Sequence, residues 1–324
     1  MKYRLEVYSI WELGTREKQE DSIFPEYGKA KTSDRLFVLC DGMGGHSAGE
    51  IASGTICQTM GQSVLNRCPD VEGVFTDDTF QSALDDAFDA LDTKDNGATK
   101  KMGTTLAFLK LHAEGATIAH IGDSRVYHIR SGKDVDDTKI LFQTRDHSLV
   151  NDLVRIGELT PEEAKHSKQK NVITRAMQPC MEYRPKADLY HTHDILPGDF
   201  FMLCSDGILE QMEDDNLRFI FSDGGGNVDN KIDILKKVTA DNRDNHSAII
   251  VHVLGVENTS DKIINVQKEN TSNVPVKKKR NDVQGMDVTT RTPKRWRVLL
   301  LAIGLLMLCV FLVGKYLGLI ELNR

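Results

Sequence analysis

Phe37-Val38-Leu39-Cys40-Asp41-Gly42-Met43-Gly44-Gly45-His46 is a short apolar run that stops at an aspartate and a cluster of glycines. The run reads as a buried strand, and the glycines after it let backbone groups approach a ligand closely. A tight turn carrying a solvated aspartate would explain one such stretch equally well. The pattern recurs, however. Phe200-Phe201-Met202-Leu203-Cys204-Ser205-Asp206-Gly207 is a second apolar run into Asp-Gly, and Ile118-Ala119-His120-Ile121-Gly122-Asp123-Ser124 is a third. Three strands that each deliver an aspartate at the same end suggest one carboxylate-lined site.

A fourth aspartate enters from the other direction. Asp244-Asn245 precedes the apolar run Ser247 to Leu254, and in an antiparallel sheet the start of one strand lies beside the end of its neighbour. Asp41, Asp123, Asp206 and Asp244 can therefore meet, with Glu20-Asp21 nearby in a polar loop. Such a cluster repels itself unless cations sit in it. Oxygen donors without His or Cys partners point to Mg2+ or Mn2+. Two such ions could activate a water and bind a phosphoryl oxygen, and Arg16 would supply a bidentate grip on phosphate. No Ser-His-Asp or Cys-His nucleophile arrangement stands out. A phosphodiesterase or nuclease with an aspartate cluster is a competing class.

The remaining elements follow from periodicity. Residues 1–13 alternate as an edge strand. Ala48 to Arg67 and Thr79 to Leu91 read as helices, the first with Ile51, Ile56, Met60 and Val64 inward, the second with Phe80, Ala83, Leu84, Ala87, Phe88 and Leu91 inward. Met102 to Leu109, Ala116 to Gly122 and Arg125 to Arg130 look like one antiparallel meander. Asp146-His147-Ser148 precedes a helix that stops at Gly157, and the charged segment Pro161 to Lys170 suggests a flap. Asp188 to His193 reads as a strand, and Asn216 to Ser222 and Ile232 to Thr239 as helices. Gly224-Gly225-Gly226 is a turn without a nucleotide-loop context. The six cysteines (40, 57, 68, 180, 204 and 309) lack metal spacing and read as buried thiols of a reducing compartment.

Charge is distributed unevenly along the 324 residues, whose net charge is −7. Residues 277–297 hold Lys277, Lys278, Lys279, Arg280, Arg291, Lys294, Arg295 and Arg297 against Asp282 and Asp287, so the part before them is acidic, which argues against a nucleic-acid-binding face there. The N-terminus has no signal-peptide apolar region. Residues 257–297 lose apolar periodicity and read as a polar, basic linker, whose Lys277–Arg280 run could touch anionic lipid or simply be solvated. Val298 to Gly314 is uninterrupted apolar residues and glycine. At ~1.5 Å per residue it covers about 26 Å, and a snorkelling Lys315 followed by Tyr316, Leu317, Leu319 and Ile320 extends it to a full span. The expectation is a transmembrane helix over 298–320 with a short tail at 321–324. The basic flank 294–297 would keep the domain on the cytoplasmic side of the cell membrane.

Arg16-x-x-x-Glu20-Asp21, Asp41-Gly42-Met43-Gly44-Gly45-His46, Gly103-Thr104-Thr105, Gly122-Asp123-Ser124-Arg125, Asp146-His147-Ser148, Ser205-Asp206-Gly207 and Asp244-Asn245-x-Ser247 occur in that order. The chain resembles the bacterial-type metal-dependent Ser/Thr protein phosphatases of the PPM (type 2C) family over roughly residues 5–254, within a domain expected to span 1–256. The resemblance implies an α+β fold, a central β-sandwich of two antiparallel sheets flanked by α-helices, with two Mn2+ or Mg2+ ions at one end. It also implies that Asp41 bridges both ions with the Gly42 carbonyl on one of them, and that Asp206 and Asp244 complete the other. Glu20 and Asp21 would act through metal-bound waters, Asp123 with Asp206 would hold a weaker third ion, and Arg16 would take the phosphate. Three positions depart from the family pattern. Met43 stands where some members carry the proposed general-acid histidine, which leaves His46, like Asn245, a supporting residue. Thr174-Arg175-Ala176-Met177-Gln178 lacks the glycine of its segment. His246 replaces a small or aliphatic residue. The implied activity is hydrolysis of phosphoserine and phosphothreonine on cytoplasmic proteins near the membrane, with a membrane-associated Ser/Thr kinase and its substrates as partners. The alternative is a membrane-tethered phosphoprotein-binding pseudophosphatase.

Overall fold

The computed structural model describes residues 1–44, 48–70, 73–95, 97–99, 101–210 and 212–257. Two five-stranded antiparallel sheets pack face to face. One runs in the order β1 (Lys2–Glu12), β12 (His246–Glu257), β11 (Asp199–Cys204), β8 (Arg125–Arg130), β9 (Lys139–Gln143). The other runs β10 (Asp188–Thr192), β7 (Gly115–Ile121), β6 (Leu106–His112), β3 (Leu36–Cys40), β2 (Ser22–Phe24). A small ladder joins β4 (Gly42–Met43) to β5 (Gly103–Thr104). Helices α1 (Ala48–Arg67) and α2 (Asp77–Asp92) cover the β3 sheet, and α5 (Asp206–Leu209), α6 (Asp214–Phe221) and α7 (Val228–Thr239) cover the β11 sheet.

This layering explains the unbroken apolar runs. Along β3, Phe37 and Leu39 face the core between the sheets, while Leu36, Val38 and Cys40 face α1 and α2. Along β11, Phe201 and Leu203 face the same central core, while Phe200, Met202 and Cys204 face α6 and α7. A strand covered on both faces has no polar side to alternate with.

The expected α2 face is buried throughout. On α1 the inner stripe is Ala52, Ile56, Met60 and Val64, and Ile51 is 44 % exposed, because five residues from Ile56 is about 140° around a helix. The meander expected over 102–130 breaks after β7. β6 and β7 form a hairpin, but β8 pairs with β9 and β11 in the opposite sheet. The crossing occurs at Gly122-Asp123-Ser124. Gly122 has φ +104°, and a Cβ there would lie 2.6 Å from the Thr105 methyl, so the turn accepts glycine alone. The crossing holds Asp123 at the rim shared by both sheets.

The segment after Ser148 leaves the sandwich and returns to its starting point. Ser148 caps α3 (Leu149–Arg155), Thr160 and Glu163 close a capping box on α4 (Pro161–Lys165), and the chain rejoins through Leu149 N–H to Val172 O and Thr174 N–H to His147 O, both 2.8 Å. The flap expected at 161–170 thus carries one helical turn of its own.

Cys40, Cys57 and Cys204 are buried as expected, but Cys68 is only half-buried and Cys180 is exposed, with φ +54°. Among the described residues no helix is long and apolar enough to cross a membrane. His46, most of the linker, the expected membrane span 298–320 and Cys309 lie outside the described residues.

Candidate active site

The four strand-end aspartates converge. β3 and β7 both pair antiparallel with β6, so Asp41 and Asp123 leave the sheet at the same end. In the other sheet the register Cys204↔Ala248 sets Asp206, just past β11, beside Asp244, just before β12. Ser205 N–H to Ser247 O, 3.0 Å, continues the ladder between them.

Asp41 is clamped through its backbone. Its N–H donates to Thr105 Oγ1 (2.9 Å), and its carbonyl accepts from Thr105 N–H (2.9 Å) and Thr104 Oγ1 (2.8 Å). Thr105 Oγ1 in turn meets Ser124 Oγ at 2.7 Å, which ties the Asp41 and Asp123 turns together. Gly42 is hemmed in. Its N–H donates to Glu20 O at 3.1 Å, and a Cβ would lie 2.3 Å from Gly49 O and 2.5 Å from Glu20 O. Any larger residue would push the Asp41 turn off α1 and the Glu20 loop.

Glu20 and Asp21 occupy different places. The Glu20 side chain reaches toward Gly49 in the first turn of α1. Asp21 is 2 % exposed and sits behind the rim; Ser205 Oγ donates to its Oδ2 at 2.9 Å. Asn245 staples the loop that carries both. Its Oδ1 accepts from Glu20 N–H (2.8 Å), and its Nδ2 donates to Leu13 O (2.9 Å) and Lys18 O (3.0 Å). Arg16, on the same loop, lies against Asp244, Nη2 to Oδ2 2.6 Å, while Asn245 N–H donates to Asp244 Oδ1 at 2.8 Å.

Burial, then mutual repulsion, pushes these carboxyls up. Asp21 and Asp123 rise to about 7 and Asp206 to about 6, while desolvation at the rim and the facing Asp21, Asp206, Asp123 and Asp244 lift the half-buried Asp41 well above the ordinary carboxylate range. Among the described residues, Asp21 Oδ1 and Asp123 Oδ1 are buried side-chain atoms without a hydrogen-bond partner. Buried carboxylate oxygens that are unpaired and mutually repelling, with no imidazole or thiolate bonded to them among the described residues, suit hard divalent cations.

A second cluster has metal-like composition, but protein partners already occupy most of its ligand atoms. His120, His147 and Asp188 offer ligand atoms within 4.8 Å of one another. However, Gly122 N–H donates to His147 Nδ1 (3.1 Å), and His147 Nε2 already faces Asp188 Oδ2 at 3.2 Å and Arg175 Nη1 at 3.1 Å. Arg175 Nη1 donates to Asp188 Oδ1 at 2.9 Å. Both ring nitrogens of His147 and both Asp188 oxygens thus already have protein partners, and the Arg175 guanidinium already supplies positive charge beside them. The group fastens the flap root to the Asp123 turn.

The other departures resolve simply. Gln178 needs no left-handed backbone, because the residue with positive φ is Cys180, two positions later; its Cγ lies beside Gly103. Met43 pairs with Gly103 in the β4–β5 ladder. His246 is 2 % exposed, and its Nδ1 donates to Asp244 O at 3.0 Å, so it braces the backbone of that aspartate.

An arginine set among buried aspartates, at one end of a double sheet between helical layers, is the arrangement of a metal-dependent phosphatase. Residues 15–228 match the family model described as Protein phosphatase 2C. Protein phosphatase PhpP of Streptococcus pneumoniae is 31 % identical over 217 residues, which are 67 % of this chain and 84 % of PhpP. The serine/threonine phosphatase PstP/Ppp of Mycobacterium tuberculosis superposes with a TM-score of 0.62 at 28 % identity, covering 76 % of this chain and 98 % of that one. The catalytic domain of PstP in complex with two manganese ions gives 0.60 at 26 % identity, covering 77 % and 98 %. The chain belongs to the protein phosphatase 2C family, and it is a protein serine/threonine phosphatase. The family match ends before Asp244, which β12 nevertheless brings into the site.

Proposed function

We propose that this phosphatase uses two Mn2+ or Mg2+ ions held by Asp41, the Gly42 carbonyl, Asp206 and Asp244. Glu20 and Asp21 support them through water, and Asp123 with Asp206 takes a weaker third ion. When bound, the ions supply an activated water and neutralise charge on the phosphoryl oxygens. Arg16 orients the substrate phosphate: its side chain is 54 % exposed and surrounded by Asp244, Glu20 and Asp206, so it can exchange a carboxylate for a phosphate without refolding. The observation that carries the reading is the convergence of five buried or rim aspartates, one of which, Asp244, is paired with that arginine. A pseudophosphatase would have no reason to keep so many destabilising carboxyls together.

The test is Mn2+-dependent phosphate release from a phosphothreonine peptide. Arg16→Ala should raise KM about 10- to 100-fold and lower kcat less, since a bidentate charged contact is worth about 1.5–3 kcal/mol. A wild-type enzyme silent with Mn2+ and with Mg2+ would remove the proposal. An unchanged KM in Arg16→Ala would remove only the role of Arg16.

We also propose that the domain ends near residue 256 and that residues 298–320 anchor it to the inner face of the cell membrane through the linker 257–297. The apolar run and its basic flank support this reading. A membrane-associated Ser/Thr kinase and its substrates are the natural partners, and anionic lipid is the natural contact of Lys277–Arg280. Fractionation should find the full chain in membranes and a chain ending at residue 293 in the soluble fraction; equal partition of the two would refute the anchor.

A further inference from the structure

Beside the Asp123 turn is a polar recess of about 200 Å³ lined by Arg125, Gln143, Thr144, Arg145, Asp146 and Asn151. Its floor is a closed ion pair: Arg125 Nε and Nη2 donate to the two Asp146 oxygens at 2.6 and 2.8 Å, and Arg125 Nη1 donates to Tyr127 OH at 2.9 Å. That guanidinium is fully engaged and its charge is cancelled. Arg145 differs. Its Nη2 donates to the Asn151 carbonyl at 2.9 Å, and among the described residues it forms no ion pair. The Gln143 side-chain amide likewise has no partner there. The recess therefore presents one uncompensated guanidinium and a free amide above a neutral floor, which is a receptor for an anion.

Its position says which anion. Arg125 is two residues from Asp123, at most about 7 Å of extended chain, and Asn151 belongs to the flap helix α3. A segment whose phosphorylated residue sits at the carboxylate cluster passes the Asp123 turn, and the recess beside that turn is placed to meet its flanking residues. Building on the phosphatase reading above, we propose that the Arg125–Arg145 recess binds a second anionic group on the same substrate segment, a phosphoryl group or a carboxylate. Arg145 is then the specificity-determining contact. The enzyme thereby favours multiply phosphorylated or acidic segments although its domain is itself acidic.

The test uses phosphothreonine peptides carrying a second phosphoserine, a glutamate or an alanine two to five residues away on either side. At one spacing the wild type should show about a tenfold higher kcat/KM for the phosphoserine peptide than for the alanine peptide, expressed in KM. Glutamate reproducing this would show that a carboxylate suffices, and glutamate falling short would assign the recess to phosphoryl groups; either supports the site. Arg145→Ala should erase the preference and Arg145→Lys keep part of it, while hydrolysis of p-nitrophenyl phosphate and the melting temperature stay unchanged. No preference at any spacing, or a preference surviving in Arg145→Ala, would overturn the proposal. Activity on the alanine peptide separates either result from a failure of the phosphatase reading itself.

Discussion

With Mn2+ present, Asp41→Asn should hydrolyse a phosphothreonine peptide about a thousandfold more slowly than wild type, and yet without metal it should melt at a higher temperature. The first effect follows from position. Asp41 is the carboxylate that faces all the others, and a thousandfold loss is about 4 kcal/mol of transition-state stabilisation, within what a metal-ion site supplies. The second follows from burial. A carboxyl whose protonation constant is raised in the folded state is one whose charge folding disfavours, and here burial comes first and the neighbouring aspartates second. Asparagine keeps the shape and removes the charge, as expected where a site holds destabilising groups for activity. The sign of the pH dependence is fixed. Asp21, Asp123 and Asp206 are lifted to about 6–7 when folded, against about 3.9 unfolded. Between pH 4 and 7 the folded state holds protons that the unfolded chain has released, so metal-free stability falls as pH rises through that window. Asp41→Asn removes a proton that the folded wild type holds and the unfolded chain releases, so the slope should flatten. Melting curves in chelator from pH 4 to 8 check this. A variant that melts lower than wild type at pH 7, or retains a tenth of the activity, would contradict the argument.

Much of this site was legible because strands have two ends and aspartate at the end of an apolar run is conspicuous. The apolar run before Asp41 and the one before Asp206 each sit between a central core and a helical layer, so their unbroken hydrophobicity marked them as central strands. The convergence of Asp206 and Asp244 needed only antiparallel pairing. What stayed hidden depended on which strand pairs with which. β8 follows β7 after a three-residue turn, and local pattern alone could not show that it joins the opposite sheet. The depth of Asp21 behind Ser205, and the grip of Thr104 and Thr105 on the Asp41 backbone, are long-range hydrogen bonds with no sequence period. Strands β2 and β9 stay hidden because three residues, or five mostly half-exposed ones, are too few to carry a periodic signal.

At the far end of β11 from Asp206, Asp199→Ala should lower the melting temperature by on the order of 10 °C while leaving kcat per folded molecule within about twofold. Asp199 is fully buried and accepts four hydrogen bonds: from Arg130 Nε (2.8 Å) and Nη2 (2.9 Å), His128 Nε2 (2.9 Å) and Leu196 N–H (2.9 Å). It thus pins β8 to β11 and closes the turn that enters β11. Alanine would leave the His128 proton, 1 % exposed and stacked on Phe201, and the Leu196 N–H without acceptors, whereas Arg130 could still lean on Asp194. Removing one partner of a buried charged network costs about 3–5 kcal/mol, and in a domain of this size each kcal/mol moves the midpoint by about 2–4 °C. Activity should survive because seven residues of strand, about 20 Å, separate Asp199 from the metal-side carboxyls. The pH signature is opposite to that of the active-site aspartates. Burial alone would raise Asp199, but the donors from Arg130, His128 and Leu196 outweigh it and hold the carboxyl below its ordinary value. Its contribution is therefore fully present above the unfolded value of about 3.9 and disappears as pH falls through the lower folded value. The gap between wild type and Asp199→Ala should be constant from pH 5 to 8 and close below pH 4. A gap that instead widened in acid would mean that the aspartate is held protonated in the core, and that Arg130 is not its counter-ion.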